Sequence, residues 1–384
     1  MEYMGRLYLA LLLLAIAVGC STKGKTKEEN TSSNKTEDFK KDKYQYLDTL
    51  VPQLLTKYKV PSITVSIIED ASIAWSGVFG EQSPATHANE NTLYLCASIT
   101  KPLTAEVFLR LTEQGKASLD EPMYRYYVDP DIKDDPRAKL LTPRHVLTHT
   151  TGFKNWRRMT QGVLRFVNDP GVEMGYSGEG FQYLVRFIEQ KFDKPFNAIA
   201  NEVLFTPLEM HHSSLVEQDW YKGRLAWPKF PDGTWAEPFV RKEALGAGGL
   251  HTNSVDYAKF LVGIMKNKGL SETMRKEQFR ITMNQYEHCL GAVTKKETCP
   301  KSLGFGLGWY VYDFENGRVI GHTGANLGER TLAVFSLEKK SGFVAMTNGA
   351  NGNYVIYDIA REVGVNNAFI EIEKPKKPYH SEQK

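Results

Sequence analysis

The sequence predicts an α/β chain, more closely α+β, in which one antiparallel sheet drawn from the N- and C-terminal segments is flanked by helices. A mostly helical lobe lies between those segments in the chain, and a cleft runs between lobe and sheet. Strand-like runs occur at both ends of the chain, helical spacing dominates its middle, and turn residues punctuate both.

The first strand signal is "SITVSIIED", which alternates and then becomes apolar. After a short turn "SIAWSGVFG" follows, so the pair reads as a hairpin. Helical spacing then appears in "PLTAEVFLRLTEQG", "TPRHVLTH", "GEGFQYLVRFIEQKF", "NAIANEVLF" and "SVDYAKFLVGIMKNKG". Strands return in "GFGLGWYVYDF", "GRVIGHTG", "RTLAVFSLE" and "SGFVAMTNG", and a last helix, "NYVIYDIAREVG", ends the body. The folded domain is expected over 44–370, with the helical lobe roughly at 110–300. No internal repeat is visible.

The chain has 384 residues, of which 41% are hydrophobic, so it can bury a sizeable core. A formal charge of +3 without a basic block sets nucleic-acid binding aside. Arg6 precedes the apolar run "LYLALLLLAIAV", which is too short for a stable membrane span and reads as an export signal over residues 1–19. The run ends in "AVGC". This resembles the lipobox of bacterial lipoproteins, with Ala17 where leucine is usual and Cys20 as the residue that would carry lipid. Acyl chains on Cys20 would anchor the chain to a membrane without crossing it. An ordinary cleaved signal or an uncleaved anchor are the alternatives. The segment 20–43 is polar and reads as a flexible tether, and 371–384 as a similar tail.

An envelope location permits a disulfide between Cys289 and Cys299, which would contribute about 2–3 kcal/mol by loop entropy. Cys96, in an apolar stretch, reads as a small buried residue.

The stretch "CASITKPLTAEVFLRLTEQGKASLDEP" places Ser98 and Lys101 three residues apart where an amphipathic helix begins. Pro102 suits the first helical turn, Leu103, Val107, Phe108 and Leu111 share one face, and Gly115 can stop the helix. Ser98 then sits where backbone N–H groups favour a developing anion, and the Lys101 amine can reach back over its hydroxyl. Desolvation would lower the lysine pKa enough for it to accept the serine proton. S-x-x-K recurs at Ser32 with Lys35 and at Ser336 with Lys339, so the spacing by itself also fits a capping serine beside a solvated lysine.

Two more segments bear on that choice. "PGVEMGYSGEGFQYLV" puts Tyr176 and Ser177 in a glycine-flanked turn before a helix, and "VIGHTGANLGE" puts His322, Thr323 and Gly324 at a strand end. In this order the segments resemble the S-x-x-K, Y-x-N, K-T-G or H-T-G signature of the serine β-lactamase and penicillin-binding protein superfamily. "TPRHVLTHTTGF", "PLEMHHSSL", "GAGGLHTNSVDYAKFL" and "GFGLGWYV" resemble connecting segments of its class C β-lactamase branch, over about residues 50–360.

The resemblance implies an active site in the cleft. Ser98 would be the acylated nucleophile, Lys101 its base and Tyr176 the proton relay to the leaving group. The backbone N–H groups of Ser98 and Ala325 would form the oxyanion hole, each worth about 3 kcal/mol in the transition state. Gly324 would let substrate backbone lie against the strand edge. His322 and Thr323 would orient the substrate's acidic end. Two positions depart from the pattern. Gly178 stands where the family has an asparagine that contacts the substrate's acyl amide, and His322 replaces a lysine. Both argue against an efficient β-lactamase while leaving acyl transfer intact.

The expectation is a lipid-anchored serine hydrolase of the cell envelope that acts, without metal or organic cofactor, on small esters or amides or on a peptide, as an esterase or as a D-aminoacyl or DD-peptidase-like enzyme on peptidoglycan-derived substrates. A weak β-lactamase and a degenerate envelope binding protein of the same fold are its alternatives. Ser21 after Cys20 favours the outer membrane in a Gram-negative source. His145 and His149, four apart, lack the glutamate of a zinc motif, and His211 with His212 lacks a partner cluster. "WRRMTQGVLRF" is either a solvated face at the cleft rim or a recruiter of acidic substrates.

Overall fold

The computed structural model describes residues 43–292 and 296–375. The export signal, Cys20, almost all of the tether and the end of the tail lie outside the described residues.

The strands are β1 (Ser62–Glu69), β2 (Ser72–Ser83), β3 (Thr86–His87), β4 (Tyr94–Leu95), β5 (His251–Thr252), β6 (Met283–Asn284), β7 (Ser302–Phe305), β8 (Tyr310–Phe314), β9 (Gly317–Ala325), β10 (Arg330–Ser336) and β11 (Ser341–Thr347). Nine of them form one sheet in the order β3-β2-β1-β11-β10-β9-β8-β7-β6, while β4 pairs with β5. The N-terminal hairpin is therefore joined edge to edge with the C-terminal strands. β1 runs antiparallel to β11, with Ile63 opposite Thr347 and Ile68 opposite Gly342. This is the sheet expected from the two ends of the chain.

The two-residue period decides which side chains meet which layer. Ile63, Val65 and Ile67 of β1 face one core with Leu332, Val334, Phe343 and Ala345. Packed on that core are the helices Leu47–Tyr58, Gly352–Glu362 and Asn367–Glu373. The last of these runs three residues past the boundary expected at 370. Thr64 and Ser66 point the other way, and both hydroxyls meet Ser254 Oγ, at 2.7 and 2.9 Å, at the start of the Ser254–Met265 helix. On that second face Ala333, Phe335, Val344 and Met346 join the larger core, which reaches through Trp309 and Phe260 into the helical lobe.

The Leu47–Tyr58 helix has no counterpart in the sequence reading. Pro52 sits inside it and removes one donor, yet Val51, Leu54 and Leu55 still bury one apolar stripe. The Thr100–Glu113 helix also differs from expectation, because it is buried on every side from Thr100 to Leu111. Its polar residues have partners. Thr104 Oγ1 donates to the Gly246 carbonyl at 2.8 Å, and Glu106 binds Arg110 and Arg275 at 3.2 and 2.9 Å. Burial by itself would push the Glu106 carboxyl upward, and the two arginines hold it below its usual range instead.

Cys289 and Cys299 are joined, with their Cα atoms 5.9 Å apart, and Cys96 is a buried free thiol. Among the described residues no helix is long and apolar enough to cross a membrane.

Candidate active site

Ser98 lies in a single 3-10 turn, Ala97–Ile99, from which the Thr100–Glu113 helix continues. Ala97 holds φ at 47°, a left-handed conformation unusual for alanine, which bends the chain sharply just before the serine. Strand β9 lies directly against this turn. A Cβ on Gly324 would come within 2.6 Å of the Cys96 carbonyl and 3.0 Å of the Ser98 nitrogen. Glycine is needed here so that the protein's own turn can approach the strand, whereas the sequence suggested room for a substrate backbone. The close approach brings Ser98 beside the end of β9, where Ala325 is exposed and shares the cleft with Ser98. Thr331 Oγ1 ties the turn to β10 by donating to the Cys96 carbonyl at 2.8 Å.

Lys101 is fully buried one turn beyond Ser98. Its Nζ lies 3.3 Å from Ser98 Oγ and donates to the Ala247 carbonyl at 2.7 Å. Among the described residues no carboxylate pairs with it, and desolvation lowers its pKa to about 7. Nζ also stands 4.7 Å from the centre of the Tyr176 ring. Burial drives the Tyr176 phenol well above its usual value, with Ser98 pulling weakly the other way. The arrangement thus holds a hydroxyl, an amine poised to lose its proton near neutrality, and a phenol that keeps its own.

His149 and His322 back this cluster. The His149 ring lies 4.4 Å from that of Tyr176, centre to centre, and its Nδ1 accepts from the Ser177 N–H at 3.0 Å. The Nδ1 of His322 donates to the Thr323 carbonyl at 2.7 Å. These bonds set complementary tautomers, leaving Nε2 protonated on His149 and bare on His322. Both Nε2 atoms are buried and have no hydrogen-bond partner among the described residues. Burial, reinforced by the nearby Lys101, lowers His322 to about 3.

His322 therefore occupies a different place from the one expected of it. It is 3% exposed, packed against Tyr176, Phe305 and Tyr310, and neutral, so it offers no cation to a substrate carboxylate. Thr323 is half-buried on the same strand.

The cleft itself is a cavity of about 890 Å³, lined among others by Ser98, Asn155, Trp156, Arg158, Phe239 and Ala325. Phe239 and Leu327 on its walls are 71% and 72% exposed, an unusual amount of apolar surface turned to solvent. Of the arginines in "WRRMTQGVLRF", Arg157 belongs to the protein's own framework, bound to Glu179 at 2.9 Å, Asp129 at 3.0 Å and Asp131 at 3.2 Å. Arg158 lines the cavity, and Arg165 donates to the Thr160 carbonyl.

A family model described as Beta-lactamase matches residues 47–364. The chain belongs to the β-lactamase family. Its relatives there carry penicillin-binding and esterase names. It is 22% identical to "Penicillin-binding protein 4" of Amycolatopsis lactamdurans, across 81% of this chain and 86% of that one. It is 30% identical to "Esterase EstB" of Burkholderia gladioli, across 45% of this chain and 52% of the esterase. Among solved structures, the octameric penicillin-binding protein homologue from Pyrococcus abyssi superposes with a TM-score of 0.68 at 21% identity, over 86% of this chain and 78% of that one. The D-alanine carboxypeptidase AmpC from Burkholderia cenocepacia gives 0.66 at 18% identity, over 86% of this chain and all of that one. The fold is the β-lactamase and DD-peptidase fold, and the family is one of serine hydrolases.

Set in the β-lactamase family, Ser98 and Lys101 come from one segment and Tyr176 from a second, and Ala325 joins them from β9. Sequence reasoning missed His149, Ala247, Asn155 and Trp156. The carbonyl of Ala247 carries no side-chain signal. Asn155 and Trp156 follow "HTTGF" after a single lysine, Lys154, and a polar-aromatic-cation run in a loop was a visible cue. Among the described residues no group of three or more His, Cys, Asp or Glu is placed to hold a metal, and the His145 ring completes a capping box by accepting from the N–H of the N-cap residue Thr142.

Proposed function

We propose that the protein is a serine hydrolase that forms an acyl-enzyme on Ser98 and cleaves small esters or amides. The observation that carries this reading is a buried, uncompensated Lys101 with its amine 3.3 Å from Ser98 Oγ and a pKa near 7.

Neutral Lys101 takes the Ser98 proton as Oγ bonds to the substrate carbonyl carbon. The oxyanion that forms is bound by the N–H groups of Ser98 and Ala325. The proton passes from Lys101 by way of the Tyr176 phenol to the leaving oxygen or nitrogen as its bond to carbon breaks. Water then attacks the acyl-enzyme, giving its proton back along the same groups, and Ser98 is regenerated. A neutral His322 in place of a lysine offers no cation to a β-lactam carboxylate at that position of β9, which favours other ester or amide substrates over β-lactams. The same proposal holds the enzyme in the cell envelope by lipid on Cys20.

The test mixes the purified protein with a p-nitrophenyl ester and follows nitrophenol release and intact mass together. Release with an acyl adduct is expected from the wild type and neither from Ser98→Ala. Folded wild-type protein that yields no release and no adduct would refute the proposal and return attention to a binding role for the same cleft.

A further inference from the structure

The turn that carries Tyr176 is held by one residue of another segment. His149 lies two residues past the helix Pro143–Leu147, and its carbonyl accepts from the Gly175 N–H at 2.7 Å. Its Nδ1 accepts from the Ser177 N–H at 3.0 Å. His149 thus binds the neighbour on each side of Tyr176. Between those two bonds its ring lies on the Tyr176 ring, with centres 4.4 Å apart. Phe181 and Phe305 pack on the same imidazole, with ring centres 5.2 and 4.6 Å away, and leave it fully buried.

The backbone of His149 holds φ at 56°, a left-handed conformation that glycine takes past a helix C-terminus without strain. Glycine there would keep the carbonyl bond to Gly175 and lose the bond to Ser177. The Ser177 N–H is a buried donor that needs an acceptor, and Nδ1 serves only while it carries no proton. The proton then sits on Nε2, which has no acceptor among the described residues, so the ring is bonded through Nδ1 alone. Burial, with Lys101 and His322 adding to it, keeps the imidazole neutral by holding its pKa well below the usual value. The strained backbone, the Nδ1 bond and the ring contact all act on the turn that sets Tyr176 over Lys101, whose Nζ stands 4.7 Å from the phenol ring centre.

We propose that His149 is a positioning residue for Tyr176, whose Nδ1 bond to Ser177 fixes the phenol where it can protonate the leaving group. This rests on acyl transfer at Ser98 with Tyr176 as the relay. In that step the phenol gives its proton to the leaving oxygen as the bond to the acyl carbon breaks, and takes the Ser98 proton from Lys101 in its place. A leaving group that departs as a stable anion needs no proton, whereas an alkoxide does. Displacing the phenol therefore slows only substrates whose leaving group must be protonated. Loss of packing alone would slow both kinds.

The test compares ethyl butanoate with p-nitrophenyl butanoate, which share an acyl part and differ in the leaving group. His149→Phe keeps a ring and removes the Nδ1 acceptor. It should lower kcat/KM by roughly 10- to 100-fold on the ethyl ester, within what a positioned proton donor contributes, and by less than about threefold on the nitrophenyl ester. His149→Asn puts Oδ1 at the same distance along the side chain and suits the left-handed backbone, so it should restore most of the ethyl-ester rate. An equal fall on both esters in His149→Phe, no fall on either, or His149→Asn as impaired as His149→Phe overturns the role. Tyr176→Phe should show the same selectivity more strongly. If it shows none, the relay is refuted and the role with it. Selectivity in Tyr176→Phe without any in His149→Phe refutes His149 alone. Absence of turnover by the wild type refutes acyl transfer at Ser98, and the nitrogen-15 spectrum of histidine-labelled protein then decides the clamp. An imidazole with bare Nδ1 and protonated Nε2, unchanged from about pH 8 to about pH 5 and missing in His149→Asn, supports it. A His149 ring that titrates as a free histidine, or carries its proton on Nδ1, refutes it.

Discussion

Lys101 is the residue on which the proposed chemistry turns. A lysine in water keeps its proton far above neutrality and cannot act as a base. Here the Thr100–Glu113 helix, buried from Thr100 to Leu111, strips its solvent, and among the described residues its amine donates to the uncharged Ala247 carbonyl and Ser98 hydroxyl. Its pKa falls to about 7 for that reason. Because only the unprotonated amine can take the Ser98 proton, kcat/KM for an ester is expected to rise with pH through about 7 and then level off. The raised Tyr176 pKa keeps the phenol protonated across that range, so no falling limb should appear near neutrality. A profile flat from pH 5 to 9 would remove Lys101 from the role of base. Lys101→Met should reduce the rate by about 10²-fold or more, as loss of a positioned base does.

At the scale of elements, the site is an agreement between segments that do not touch in sequence. The 155–157 loop docks on the helix beginning at Gly178, and β9 docks on the Ala97–Ile99 turn, each through a glycine that admits the neighbour. Gly178→Asn, which would recreate the family's usual Y-x-N, is expected to destabilise the protein by about 1–3 kcal/mol, because the new side chain overpacks against Trp156. It should also lower activity. Combining it with Trp156→Ala, which empties that space, should recover part of the stability in a urea titration. Equal stability of Gly178→Asn and wild type would show that the indole is not held there.

Across the whole molecule, the nine-stranded sheet separates two cores, and the buried histidines lie around the catalytic side of it. His149, His251 and His322 are each less than 5% exposed, and burial is the largest cause of the depressed pKa of all three. A histidine whose folded pKa lies below its unfolded value stabilises fully above the unfolded value and loses that contribution as pH falls toward the folded one. Stability should therefore fall between pH 6.5 and 5, with a limiting slope of about 4 kcal/mol per pH unit if all three contribute a proton. His251, with a folded pKa of about 4, makes a clean check. His251→Gln should reduce the slope of unfolding free energy against pH by about one third. An unchanged slope would mean that His251 takes up its proton without unfolding.

The sheet, the helical middle, the order of S-x-x-K, Y-S-G and H-T-G, and the serine at a helix start could all be read from the chain. Periodicity and local turn chemistry are properties of neighbouring residues, so they are legible in one dimension. The Leu47–Tyr58 helix was not legible, because Pro52 argues against a helix locally and only packing on the outer core outweighs it. That Lys101 is dry, that His322 is buried and neutral, and that Gly324 serves the protein's own turn became legible only in the packed fold. So did the placing of Trp156 over Gly178 and of Asn155 in the cleft wall. Each of these depends on which distant residue removes water or fills space, and that information resides in the packing of segments far apart in the chain.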